Sequence, residues 1–123
     1  MNNNLAALQM NEGRRNEALL SLQKSTEINE KLMQEHPKDR EYRQITSLAY
    51  MNLGIIQASL GDHEGAKLSL QQSINIDTQL VQENPAIITY RGALAISYSK
   101  LSFLDQSRLD EAIAIHQELL TQN

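Results

Sequence analysis

Cysteine is absent from the 123-residue chain, which excludes disulfides, thiol nucleophiles and cysteine-ligated metals. Tryptophan is absent too, and one Phe and four Tyr are the whole aromatic content. The core must therefore be aliphatic, built from Leu, Ile, Ala and Met. Only two Pro and five Gly interrupt the chain, a balance that favours helix over strand. No apolar run approaches the ~18 residues of a membrane span. No basic region precedes the apolar residues of the opening stretch "MNNNLAAL", so it does not read as a secretory leader. Long basic runs are also missing. The net charge is −4 and the pI about 5.3, which disfavours nucleic acid and anionic membranes as partners. What is present, 41% hydrophobic and 21% charged residues, suits a single folded domain, expected to be cytoplasmic.

The chain says nearly the same thing twice. "LMQEHPKDREYR" at Leu32–Arg43 returns as "LVQENPAIITYR" at Leu80–Arg91, 48 residues later. Aligned at that offset, 17 of the 43 pairs from Met1/Ala49 to Arg43/Arg91 are identical. They include Leu5/Leu53, Gly13/Gly61, Ala18/Ala66, Leu22/Leu70, Ser25/Ser73, Ile28/Ile76, Leu32/Leu80, Pro37/Pro85 and Tyr42/Tyr90. A third copy starts at Ile96–Leu101, loses two residues, and places Ala112 opposite Ala66 at a spacing of 46. A fixed period of this size marks a stacked repeat array. The units run over about residues 1–38, 39–86 and 87–123 of one domain.

Each unit reads as two helices. Tyr42, Ile45, Ala49, Leu53 and Ile56 recur at helical spacing between Asp39 and Leu60. Asp39 is placed to cap the start of that helix, and Gly61 supplies a left-handed end. Asp62 then caps a second helix running to about Glu83, with Ala66, Leu70, Ser73 or Ile74, Asp77 and Leu80 along its packed stripe. Pro85 stops it. Tyr42 and Tyr90 read as plugs beside Leu32 and Leu80, and Arg43 and Arg91 as caps or ion-pair partners.

The run Tyr50-Met-Asn-Leu53-Gly54, followed by Gly61, Ala66, Leu70 and Ser73, resembles a tetratricopeptide repeat. Leu5-Ala6 with Ala18 and Leu22, and Tyr98, Leu101-Ser102, Ala112 and His116, follow the same plan. The period departs from the family's usual 34 residues. It is similar to the long-helix variety in kinesin light chains and in arrays that trail some bacterial serine/threonine kinases. The resemblance covers essentially the whole chain. It implies an all-α superhelix of αα-hairpins, about six antiparallel helices in three repeats with incomplete terminal units. Leu5, Leu8, Ile113 and Leu119 have no evident neighbour beyond them, so the expectation is an excerpt of a longer array within a larger protein.

The resemblance also implies a binding surface on the concave face, lined by first helices. Carried over, it comprises Leu48, Met51, Asn52, Ile55 and Ser59 in the second unit. In the third it comprises Ile96, Ser99, Lys100, Phe103 and Gln106. Asn3, Ala7 and Met10 remain in the first. The implied function is a non-catalytic scaffold that holds a peptide or helical segment of a protein partner, needing no cofactor. The alternative is homo-oligomerisation through exposed repeat ends. A family subtype grips C-terminal carboxylates with Lys, Asn and Arg. Only Asn52 and Lys100 match it, while Asn3, Ala7 and Ile96 do not.

Chemistry-bearing motifs are weak by comparison. Ser21-Leu-Gln-Lys24 and Ser97-Tyr-Ser-Lys100 spell a serine-hydrolase tetrapeptide without its companion motifs. His116-Gln-Glu-Leu-Leu echoes a phospho-accepting box, but His116 aligns with the packing residues Leu22 and Leu70. His36, His63 and His116 are too scattered for a metal site. No enzymatic activity is expected.

Overall fold

A computed structural model describes the backbone of residues 2–121 and the side chains of residues 12–106, together with Ile113, Ala114 and Gln117. The described chain holds four helices and no strand: α1 (Asn2–Glu35), α2 (Arg40–Ser59), α3 (His63–Glu83) and α4 (Ile88–Thr121). Each packs on the next, and α2 also touches α4.

The boundaries of the central hairpin follow from local chemistry. At the start of α2 the Asp39 carboxylate accepts the Glu41 N–H at 2.9 Å, supplying an acceptor that the first turn lacks. Gly61 then takes φ of 87°, the left-handed conformation that L side chains resist. Next to it, Asp62 accepts the Gly65 N–H at 2.9 Å and starts α3. At the far end α3 closes at Glu83 with Asn84 as its cap, ahead of Pro85.

The six helices expected from the repeat are thus four in the structure, because the outer two run straight through the points where a hairpin would turn. In α1 the counterpart of Gly61 is Gly13, which lies inside the helix and has no positive φ. Residue 14 is Arg where residue 62 is Asp, so no carboxylate caps a second start. In the third unit, spacings of 46 and 48 from Gly61 fall on Ser107 and Leu109. With no glycine to turn left-handed, α4 continues to Thr121. Helices α1 and α4 are each 34 residues long, against 20 and 21 for α2 and α3.

The core has two apolar clusters. Ala66, Leu70 and Leu104 form one near the Gly61 turn, with Met51, Ala58 and Leu101 packed on them. Ile76, Leu80 and Tyr90 form the other near Pro85, joined by Met33, Tyr50, Val81 and Ile87. Burying a Leu such as Leu70 or Leu80 contributes roughly 1.5–3 kcal/mol each. Gly54 and Ala66 mark a close approach of α2 to α3. A Cβ at Gly54 would lie 2.9 Å from Leu70 Cγ and 3.2 Å from the Ala66 carbonyl oxygen. Tyr90 fills its expected place beside Leu80, and Tyr42 stacks on His36 with ring centroids 5.1 Å apart.

Between the clusters lies a polar layer that crosses three helices. The Ser47 hydroxyl donates to Asp77 Oδ1 at 2.6 Å. Ser73 Oγ is 3.0 Å from Ser47 Oγ and 3.1 Å from Ser97 Oγ. All four residues are buried. With Ser47 donating to the carboxylate, Ser73 donates to Ser47 and Ser97 to Ser73, so every hydroxyl proton in the chain has an acceptor. Asp77 Oδ2 is buried with no partner, and burial raises the Asp77 pKa, against the lowering effect of the Ser47 hydrogen bond. A layer of this kind penalises slipped helix registers, because slippage would leave each group unpaired.

Candidate functional site

Helices α2 and α4 carry equivalent residues on one exposed side. Leu48 and Ile96 are a repeat pair, as are Ile55 and Phe103, and each pair member lies two helical turns from the next. All four are exposed large hydrophobics, Phe103 most of all at 73%. Between them the polar positions Asn52, Ser99 and Lys100 are exposed as well.

Two hollows open along this side. One, of about 290 Å³, is lined by Gly54, Ile55, Ala58 and Ser59 of α2, His63 and Leu70 of α3, and Lys100, Phe103 and Leu104 of α4. The other, of about 490 Å³, runs along Ala95, Ile96, Ser99, Lys100 and Phe103 of α4. Phe103 and Lys100 border both. Gly54, which lets Leu70 approach α2 closely, forms part of the floor of the first hollow, and His63, two residues after the Gly61 turn, lines it too.

The structure thus gathers Ile55, Ser59, Lys100 and Phe103 around one hollow, and Ile96 and Ser99 around its neighbour. Leu48 and Asn52 are exposed on α2, and Gln106 is exposed on α4. Met51 is placed differently: it packs against the Ala66–Leu70–Leu104 cluster and is part of the core wall. Asn3, Ala7 and Met10 lie outside the residues whose side chains are described, as do Leu5, Leu8, His116 and Leu119. His63 lines the hollow although its place at a turn gave no such indication. Its position four residues before Lys67, on the first turn of a helix facing Ile55, is the available signal. The buried Nδ1 of His63 has no hydrogen-bond partner.

Electrostatics on this side are sparse. Among the described residues, Lys100 borders both hollows, while Lys67 pairs with Asp105 at 2.8 Å across α3 and α4. At the opposite end of the hairpin, Arg43 pairs with Glu83 at 2.5 Å, which holds the Glu83 carboxyl below its usual range. Arg43 is therefore an ion-pair partner tying the start of α2 to the end of α3. Ser97, the serine of one hydrolase-like tetrapeptide, is fully buried in the polar layer. Among the described residues, no three His, Cys, Asp or Glu side chains are grouped as metal ligands.

The family model described as tetratricopeptide repeat matches residues 1–32 and 47–80, together just over half of the chain. The chain belongs to the tetratricopeptide repeat family. The first match spans a stretch that here is one uninterrupted helix, α1, and the second covers the α2–α3 hairpin. No curated protein and no solved structure matches the chain. Tetratricopeptide repeats generally mediate protein–protein interaction. No described helix is long and apolar enough to cross a membrane.

Proposed function

We propose that this tetratricopeptide protein is a non-catalytic scaffold, and that the face shared by α2 and α4 holds a peptide or helical segment of a partner protein. The observation that carries the reading is the repeat-equivalent apolar set Leu48, Ile55, Ile96 and Phe103, all exposed, of which Ile55, Ile96 and Phe103 line two hollows. Four apolar anchors two turns apart on two neighbouring helices suit a segment that presents its own apolar side chains along a line. Asn52, Ser59 and Lys100 add hydrogen-bond donors at the edges, and Lys100 favours an acidic group on the occupant. On this reading the chain acts inside a larger cytoplasmic protein. A kinase-linked setting of the kind seen in similar long-helix arrays is one such context.

The test is selection of binding peptides from a random library, followed by titration calorimetry. Phe103→Ala should weaken the selected peptides at least tenfold, about 1.4 kcal/mol. Leu68→Ala, on an exposed α3 residue away from both hollows, should leave them unchanged. Equal affinities for the two variants would rule out the groove as the binding face.

A further inference from the structure

We infer that the segment seated on the groove is acidic, with carboxylates on both sides of an apolar anchor: one pairs with Lys100 of α4 and the other with Arg15 of α1. The inference rests on the groove reading and names the chemistry of its occupant.

Arg15 reaches the groove from α1. Its Nη1 donates to the Ser59 carbonyl oxygen at 3.5 Å, one of the carbonyls left over at the end of α2. The Ser59 side chain lines the smaller hollow. Lys100 lines the same hollow from α4. Among the described residues α1 packs on α2 and not on α4, while α2 touches both. The two cations therefore bracket the hollow from different helices, with Ile55 and Phe103 as apolar walls between them.

Neither cation is committed to a carboxylate of its own chain. Arg43 is held by Glu83 and Lys67 by Asp105. Among the described residues no such partner lies within ion-pair distance of Arg15 or Lys100, and both are exposed. The Ser59 contact is a long one that leaves most of the guanidinium donors of Arg15 available. A guanidinium receives a carboxylate through two parallel N–H bonds, and an ammonium receives it as a point charge.

The lining offers no opposing charge. Neither hollow is lined by Asp or Glu, and Ser59, His63, Ser99 and Lys100 are their polar residues. The chain as a whole carries 15 acidic residues against 11 basic ones. An acidic segment is thus repelled by the molecule in general and drawn to this stretch, which fixes where it lies. A basic segment would meet two cations there with nothing to neutralise them.

The helices also set the spacing. Packed neighbours lie about 8–10 Å apart, so the path from α1 over α2 to α4 is about 16–20 Å. An extended segment covers that with about five or six residues at about 3.3 Å each. Two acids no more than about six residues apart, with an apolar side chain between them, match both cations and the hollow.

Peptide selection from a random library on wild type, Arg15→Glu and Lys100→Glu tests the inference. Both residues are exposed, so both variants should keep the wild-type circular dichroism. The wild-type pool should be enriched in Asp or Glu on both sides of an apolar residue. Arg15→Glu should lose the enrichment on one side and Lys100→Glu on the other. Each variant should bind a wild-type peptide roughly two- to tenfold more weakly at low salt, and Lys in place of the matching acid should restore the loss. A wild-type pool without flanking acids, or variants that bind its peptides unchanged, would overturn the inference. Phe103→Ala separates this failure from failure of the groove reading. If it weakens the peptides while the charge reversals do not, the groove stands and the acidic occupant falls. If it has no effect either, the groove reading falls and this one with it.

Discussion

Replacing Gly13 and Gly61 separately by Ala separates a straight α1 from a bent one. The two glycines occupy the same place in the repeat, and the substitutions are chemically identical. At Gly13 the backbone is helical and a Cβ would meet nothing within 4 Å. The change should follow helix propensity alone and stabilise by up to about 1 kcal/mol. At Gly61 a Cβ also meets nothing, but φ is 87°. An alanine held left-handed there costs about 1–2 kcal/mol. The two variants should therefore differ by roughly 1–3 kcal/mol, on the order of 10 °C in melting temperature for a chain of this size. Urea and thermal unfolding followed by circular dichroism measure it. If Gly13→Ala destabilises as Gly61→Ala does, α1 turns at Gly13, and the four-helix fold is wrong.

Other outcomes follow from the central hairpin and the polar layer. Gly54→Ala gains the same helix propensity as Gly13→Ala, yet forces Leu70 and the Ala66 carbonyl to give way, so urea titration should show a net loss. Ala66→Leu overpacks the same crossing and should cost roughly 1–3 kcal/mol by the same assay. Asp77 has a raised folded-state pKa, so its protonated form favours folding. Its contribution is fully present below the unfolded carboxylate pKa and is lost as pH rises through the folded value. Unfolding free energies measured from pH 3 upward should fall with pH in that window, and Asp77→Asn should flatten the fall. Unchanged slopes would mean the carboxylate is not held as described.

The central hairpin was legible because its signals are local. Asp39, Gly61, Asp62 and Pro85 each do a single backbone job with its own residue preference, and the structure places each where that preference predicts. Ala66 stood out because a small residue between bulky ones on a packed stripe marks a close helix crossing. The number of helices was less legible. Repeat similarity implies a turn wherever the aligned copy turns, but a turn needs both a left-handed residue and a cap. Arg14 withholds the cap in the first unit, and the missing glycine withholds the bend in the third. Met51 shows a second limit: one position of register separates a groove side chain from a core side chain, and a flexible Met fills either. The serines of the polar layer were visible only as marks on a packed stripe. What joins them is their meeting across α2, α3 and α4, a long-range fact that spacing within one helix does not carry.

The most direct measurement is a nitrogen-15 amide spectrum of the chain titrated with a library-selected peptide. Binding along the shared face should concentrate the shifts on Leu48, Asn52, Ile55, Ser59, Ile96, Ser99, Lys100 and Phe103, with Leu68 and the outer side of α3 silent. Shifts centred on α3, or spread evenly over all four helices, would contradict a binding face shared by α2 and α4.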